Sequence, residues 1–248
     1  MVFEHLGLDF QRALLSKKVA IVGVGGLGSW TAELLARAGV GHLRLIDDDR
    51  VNLDNLHRQA MYSQADAAAG LAKVDAAARR LGELNSQVSV EPIGDRVGRD
   101  NIEGLLGGVD LVLDGTDNFA SRFVINDYCI RQSLPWIFAG VVGAEAQTMT
   151  IIPPHTPCLR CISESPPPPC IDPSCRIAGV LGPAVSMIAS IQAVEAVKVL
   201  SGNRAAASPY LLKIDLWRNA LQRIDVAAAC EGNDCPCCKG RQFDYLES

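Results

Sequence analysis

Directly after the apolar run Val19-Ala20-Ile21-Val22, the chain reads Gly23-Val24-Gly25-Gly26-Leu27-Gly28. Gly23, Gly25, Gly26 and Gly28 permit a tight turn and let backbone N–H groups approach phosphates at the positive end of a following helix. Asp47 stands about 20 residues further on, where folds of this kind hold a ribose hydroxyl. A glycine loop plus an acid specifies adenosine better than it specifies a reaction. A nicotinamide or flavin oxidoreductase therefore fits these two features as well as an ATP-using enzyme does.

The polar residues downstream shift that balance. Asn55, Arg58 and Gln59 follow the second apolar run, then Lys73, then Asp117 and Asn118 after Leu113-Asp114-Gly115-Thr116. A nicotinamide pocket has no use for two cations and a further acid converging on phosphates, whereas adenylyl transfer needs those groups. Arg58 and Lys73 can neutralise a pentacovalent α-phosphate and the departing pyrophosphate. Asp117, at the carboxyl end of a strand, can hold Mg²⁺. Each residue also has a plainer reading: Arg58 and Lys73 as solvated surface charges, Asp117 as the N-cap of the next helix, His57 as a packing or surface residue.

Of nine cysteines, all but Cys129 fall in two clusters, 158–175 and 230–238. An odd count does not fit a fully paired disulfide framework and points to metal binding or thiol chemistry in a reducing compartment. Cys158-Leu-Arg-Cys161 and Cys235-Pro-Cys-Cys238 each carry a pair at the spacing that lets two thiolates share one tetrahedral zinc. Four sulfurs leave no open coordination position, so the expected role of Cys158, Cys161, Cys235 and Cys238 is a structural staple. Cys237, Cys230 and His155 compete for a place in that set. Cys129 reads as a small core residue. Cys175, beside Arg176 and just before a glycine-rich helix entry, sits where a thiolate is favoured, with Cys170 as its alternative.

Alternating strands and helices must position these groups. The pattern predicts strands at Val19–Val22, His42–Ile46, Val88–Ile93, Asp110–Asp114 and Trp136–Ala139, with helices at Ser29–Ala38, Gly70–Leu84 and Phe119–Gln132. Period-two alternation from Gln147 to Ile152 marks a more antiparallel second half. Pro153 to Ser174, with four consecutive prolines, reads as a long loop that is neither helix nor central strand. Ala184–Leu200 is the next predicted helix, and Tyr210–Ile214 with Leu216–Ile224 a closing hairpin. The expected fold is α/β: a Rossmann-like mixed sheet with helices on both faces, a long crossover loop and a C-terminal zinc-binding tail. One domain spans 1–248, with a nucleotide-binding part at 1–152, a mobile crossover loop at 153–182, and a helix, hairpin and zinc tail at 183–248.

The 248 residues, 48% hydrophobic and 21% charged, supply one sizeable core. A net charge of −5 with no basic patch argues against nucleic acid and for a protein or small-molecule partner. No leader-like start and no apolar run of about 18 residues are apparent, so the expectation is a cytoplasmic protein without membrane contact.

The ordered set Gly-x-Gly-Gly-Leu-Gly, Asp47, Asn55-x-x-Arg58-Gln59, Lys73, Asp114-Gly-Thr-Asp117-Asn118, Cys158-x-x-Cys161 and Cys175-Arg-x-Ala-Gly-Val resembles the ThiF/MoeB/HesA family, the bacterial relatives of ubiquitin-activating enzymes. The likeness covers nearly the whole chain, and Cys175 to Pro183 looks most like the ThiF branch. It implies that Asp47 holds the ribose, that Asn55, Arg58 and Lys73 grip phosphates, that Asp117 handles Mg²⁺, and that the protein is a homodimer. The implied reaction is ATP-dependent adenylation of the C-terminal Gly-Gly of a small ubiquitin-like sulfur-carrier protein (ThiS- or MoaD-like). A cysteine desulfurase or rhodanese-like donor then supplies sulfur for a thiocarboxylate. One departure stands out: the Arg-Tyr-x-Arg-Gln segment with which relatives begin, and whose arginine enters the partner's ATP site, is missing, and Arg12 lies past its place. A tRNA-modifying dehydratase of the same superfamily and a non-catalytic ATP- or carrier-binding scaffold remain as alternatives.

Overall fold

A computed structural model describes residues 7–166, 179–229 and 231–247. The first half runs α1 (Gly7–Leu14), β1 (Lys18–Val22), α2 (Gly26–Ala38), β2 (His42–Ile46), α3 (Gln64–Ala68), α4 (Lys73–Leu84), β3 (Ser89–Ile93), α5 (Ile102–Leu106), β4 (Leu111–Asp114) and α6 (Phe119–Arg131). The second runs β5 (Trp136–Val142), β6 (Glu145–Ile151), α7 (Leu159–Ile162), α8 (Gly182–Leu200), β7 (Leu211–Asp215), β8 (Ala220–Ile224), α9 (Val226–Ala229) and α10 (Asp244–Glu247).

All eight strands form one sheet in the order β3-β2-β1-β4-β5-β6-β7-β8. The first five pair in parallel and the last three antiparallel, so the expected mixed sheet with helices on both faces is what the chain forms. The central parallel strands β1, β4 and β5 are short apolar runs buried on both sides, whereas β3 at the sheet edge is largely exposed. Alternate residues feed two cores. Val19, Ile21, Leu43, Leu45, Leu111 and Leu113 meet α2, α4 and the C-terminal half of α8. Ala20, Val22, Val112, Trp136, Phe138 and Met149 meet α5, α6, α7 and the C-terminal cysteines. Order reverses between β1 and β4, and the carboxyl ends of those strands open the crevice where such sheets take ligands.

Several predicted boundaries differ. The helix expected from Gly70 starts at Lys73, because Gly70 adopts φ 59° and Ala72 forms a bridge with Arg50. The second strand of the closing hairpin starts at Ala220 rather than Leu216. Leu216–Asn219 make the turn, with Asn219 left-handed and Arg218 paired to Asp215. The segment expected to exclude helix contains α7, whose four residues avoid the prolines. No apolar run was expected to reach membrane-spanning length, yet α8, at 19 residues, is long and apolar enough to do so. It is a core helix here: Ala184, Ile188, Ala189, Gln192 and Ala196 are fully buried, and the Gln192 amide donates to the Asp114 and Ile137 carbonyls of the sheet.

Candidate functional site

The glycine loop bends between β1 and α2 because nothing larger fits. Gly23 has φ 83°, and a Cβ there would lie 2.6 Å from the Gly115 carbonyl oxygen. A Cβ on Gly28 would collide with the Gly23 carbonyl. That close approach seats the start of α2 against the ends of β1 and β4, with its unpaired N–H groups and positive end at the crevice. Gly25 and Gly26 face it: a Cβ on Gly25 would stand 3.5 Å from the Gln59 amide nitrogen, and one on Gly26 would stand 3.3 Å from Val185. Asp47, at the end of β2, braces the loop by accepting from Val24 N–H (2.7 Å) and from Asp49 N–H (2.9 Å). Burial raises its carboxyl above the ordinary range, against the pull of Lys73 and the two backbone donors.

A cavity of about 1150 Å³ opens over these ends. Its walls hold Gly23, Gly25, Gly26, Asp47, Asn55, Arg58, Gln59, Lys73, Asp117 and Asn118, so every predicted nucleotide-site residue except Gly28 lines it. Gly28 lies beneath, buried against Gly23. Lys73 is no solvated surface charge: it is 5% exposed, with its ammonium 2.7 Å from Asp49 and 3.8 Å from Asp47. Arg58 is half-buried and rests on Asn55 Oδ1 at 2.7 Å, with His57 Nε2 at 3.3 Å. Gln59 is buried, and its carbonyl oxygen finds no hydrogen-bond partner among the described residues. A buried, unsatisfied acceptor beside a polar cavity is what a donor-bearing ligand would complete.

Asp117 is exposed at the cavity rim, and the helix it precedes is capped by its neighbour. Asn118 Oδ1 accepts from Ser121 N–H at 2.9 Å, so the reading of Asp117 as N-cap is overturned and Asn118 fills that role. Among the described residues the Asp117 carboxylate meets only a 3.5 Å contact from the Asn118 amide, which suits a hard, oxygen-seeking cation. One turn into α6, Arg122 also reaches the cavity wall. Its guanidinium is buried against Asp114 (2.9 Å) and donates to the Thr116 and Ala139 carbonyls. Sequence reasoning passed over Arg122; its place one turn after a capping asparagine was the available signal.

On the far side of α6 the two Cys-x-x-Cys pairs meet. Sγ of Cys158 lies 3.7 Å from that of Cys235 and 3.9 Å from that of Cys161, and Cys161 lies 3.5 Å from Cys238. Zinc–sulfur bonds of about 2.3 Å place tetrahedral sulfurs about 3.8 Å apart, so the four thiols fit one zinc ion. Two of the three competitors, Cys237 and His155, fall away. Cys237 is fully buried with its sulfur accepting from Asn126 (3.3 Å), and His155 is exposed outside the group. Cys230 lies outside the described residues. Asn126 also accepts from Leu159 N–H, and Asp127 takes Arg160 and Tyr245 N–H, so α6 grips both cysteine segments. Cys129 is the core residue expected, fully buried in α6. Cys170, Cys175 and Arg176 lie outside the described residues.

Comparison with known proteins agrees with this geometry. The chain is 37% identical over 239 residues to the sulfur carrier protein ThiS adenylyltransferase of Escherichia coli (strain K12), covering 94% of each chain. It is 35% identical over 246 residues to the protein of that name in Bacillus subtilis (strain 168), covering 99% of this chain and 71% of that one. The SAMP-activating enzyme E1 of Haloferax volcanii is 35% identical over 247 residues, covering 89% of its length. Among solved structures, E. coli MccB with succinimide superposes with a TM-score of 0.74 at 25% identity over 86% of this chain, which spans only 65% of the MccB chain. The ThiF family profile matches residues 1–237, and on that match and these identities the chain belongs to the ThiF family.

Proposed function

We propose that this chain uses MgATP to adenylate the C-terminal glycine carboxylate of a small ubiquitin-like sulfur-carrier protein. The observation that carries the reading is the single cavity in which a helix N-terminus, Arg58, Lys73 and Asp117 converge over the strand ends. One carboxylate oxygen attacks the α-phosphorus, the bond from that phosphorus to the bridging oxygen breaks, and pyrophosphate leaves with the electron pair. A carboxylate needs no general base, so positioning and charge stabilisation supply the catalysis. Asp47 takes the ribose. Asn55, Gln59 and Asn118 orient the nucleotide, and Arg58 and Lys73 exchange Asn55 and Asp49 for phosphate oxygens. Mg²⁺ held by Asp117 would supply further neutralisation of the phosphates. Zinc on Cys158, Cys161, Cys235 and Cys238 would hold the tail to α6.

The same reading makes the chain one working unit: a nucleotide part (1–152), a crossover (153–182) and a helix, hairpin and tail (183–248). It acts as a homodimer in the cytoplasm, where the thiols stay reduced. A cysteine desulfurase or rhodanese-like donor then delivers sulfur as a persulfide, with the Cys175 thiolate either displacing AMP from the adenylate to form a thioester or accepting the donor's sulfane sulfur as the donor thiolate leaves.

The test separates the two half-reactions. Wild-type protein should catalyse ATP–pyrophosphate exchange only with a carrier ending in Gly-Gly. Cys175→Ala should leave exchange nearly intact while thiocarboxylate formation, followed by mass spectrometry of the carrier, falls sharply. Absence of exchange would favour a non-catalytic scaffold, and exchange with a modified tRNA in place of the carrier would favour a dehydratase. Normal thiocarboxylate formation by Cys175→Ala would remove that cysteine from the mechanism.

A further inference from the structure

Arg58 stands in a turn held locally by only one short 3₁₀ helix, Leu53–Asn55, yet the reaction needs its guanidinium placed to within a fraction of an ångström. The second turn of α2 supplies the hold. The indole N–H of Trp30 donates to the Arg58 carbonyl at 3.1 Å, and the fully buried Ser29 hydroxyl accepts from Ala60 N–H at 3.1 Å. Ser29 also donates to the Gly26 carbonyl at 3.2 Å, tying the same contact to the glycine loop. From the other side α8 closes the clamp, since a Cβ on Gly182 would lie 2.7 Å from the His57 carbonyl oxygen. Trp30 packs against the hydrophobic cluster that contains Leu27, Val185 and Ile188, so its own position is set by the core between α2 and α8.

We infer that Trp30 is a positioning residue for nucleotide binding, making Arg58 and the glycine loop one rigid body that meets the phosphates together. The inference rests on the reading above only in taking Arg58 as a phosphate contact. Because Arg58 rests on Asn55, its transfer to a phosphate changes the surroundings of an indole bonded to its own backbone. Trp30 therefore reports occupancy as well as setting it. Of the other two tryptophans, Trp136 is buried in β5 and Trp217 is 80% exposed in the β7–β8 turn.

A double-mutant cycle on MgATP affinity, measured by calorimetry without any carrier, tests this. Trp30→Phe keeps an aromatic ring but removes the N–H donor together with the five-membered ring that carries it. It should weaken MgATP by on the order of tenfold with a melting temperature lowered by no more than a few degrees, while Trp30→Phe/Arg58→Ala should bind no worse than Arg58→Ala alone. Ser29→Ala should show a smaller, likewise non-additive loss. The fluorescence change on MgATP addition should persist in Trp217→Phe and vanish in Trp30→Phe. Wild-type affinity in Trp30→Phe, or losses that multiply in the double variant, would overturn the inference. A chain that binds MgATP with this coupling but supports no carrier-dependent exchange would instead overturn the proposed function and leave the role of Trp30 standing.

Discussion

The two sides of α6 solve opposite problems. Toward the sheet's carboxyl edge, the cavity holds charges whose partners are provisional: Lys73 on Asp49, Arg58 on Asn55, and a Gln59 oxygen with no partner among the described residues. Toward the tail, the cysteine cluster is closed on itself, and Asn126, Asp127 and Arg160 tie it to the interior, although the buried Arg160 Nε–H has no partner among the described residues. An arrangement that must exchange partners during a reaction keeps its interactions replaceable. One that only holds the chain together completes most of them. Substitutions should therefore cost activity on the first side and stability on the second.

The largest expected effect is on the tail. Cys235→Ser removes one of four ligands from a kind of site that typically supplies about 10–16 kcal/mol, and a quarter of that should lower the melting temperature by roughly 10 °C. Bound zinc, measured by metal analysis, should fall well below one per chain, while MgATP affinity stays within about twofold of wild type. Tight zinc binding and an unchanged melting temperature would break the contrast from this side.

Arg58→Ala should do the reverse. Losing a preorganised cation aimed at the developing charge costs about a hundredfold or more in ATP–pyrophosphate exchange. Stability should hardly move, because the side chain is half-buried and its contacts are the neutral side chain of Asn55 and the exposed His57. Near-normal exchange in this variant would remove Arg58 from the site.

The smallest effect sharpens the comparison, because it falls on the helix that both regions share. Asn118→Ala deletes the cap of α6 and should cost about 1 kcal/mol of stability. It should also loosen the first turn beside Asp117, so the Mg²⁺ concentration giving half-maximal exchange should rise a few-fold while zinc content stays constant. A fall in stability with no change in Mg²⁺ dependence would confine Asn118 to a structural role.

Much of this was legible in the linear chain, and for local reasons. Strand, glycine loop and helix at 18–38 are specified by neighbours in sequence: β-branched residues, then glycines where no Cβ fits, then an apolar helical face ended by Gly39 at φ 91°. The two Cys-x-x-Cys pairs announced a metal site because the spacing within each pair is itself the chelate geometry. The unread parts depended on contacts distant in sequence. Lys73 reads as a phosphate contact in the linear chain, but its burial beside Asp47 and Asp49 depends on the fold. Arg122 was passed over because its partners, Asp114 and the Ala139 carbonyl, lie on neighbouring strands.

Local chemistry by itself therefore determined which groups exist and which backbone conformations they demand: the phosphate loop, the acid at the end of β2, the paired thiols. Tertiary structure alone decided their relations. It chose Cys238 over Cys237 by turning the latter's sulfur to Asn126, made Asn118 the cap, and docked the Arg58 segment on Trp30. The physical reason is range. Glycine sterics and ligand spacing act over a few bonds, whereas burial, desolvation and hydrogen-bond competition depend on which atoms packing brings within about 3 Å.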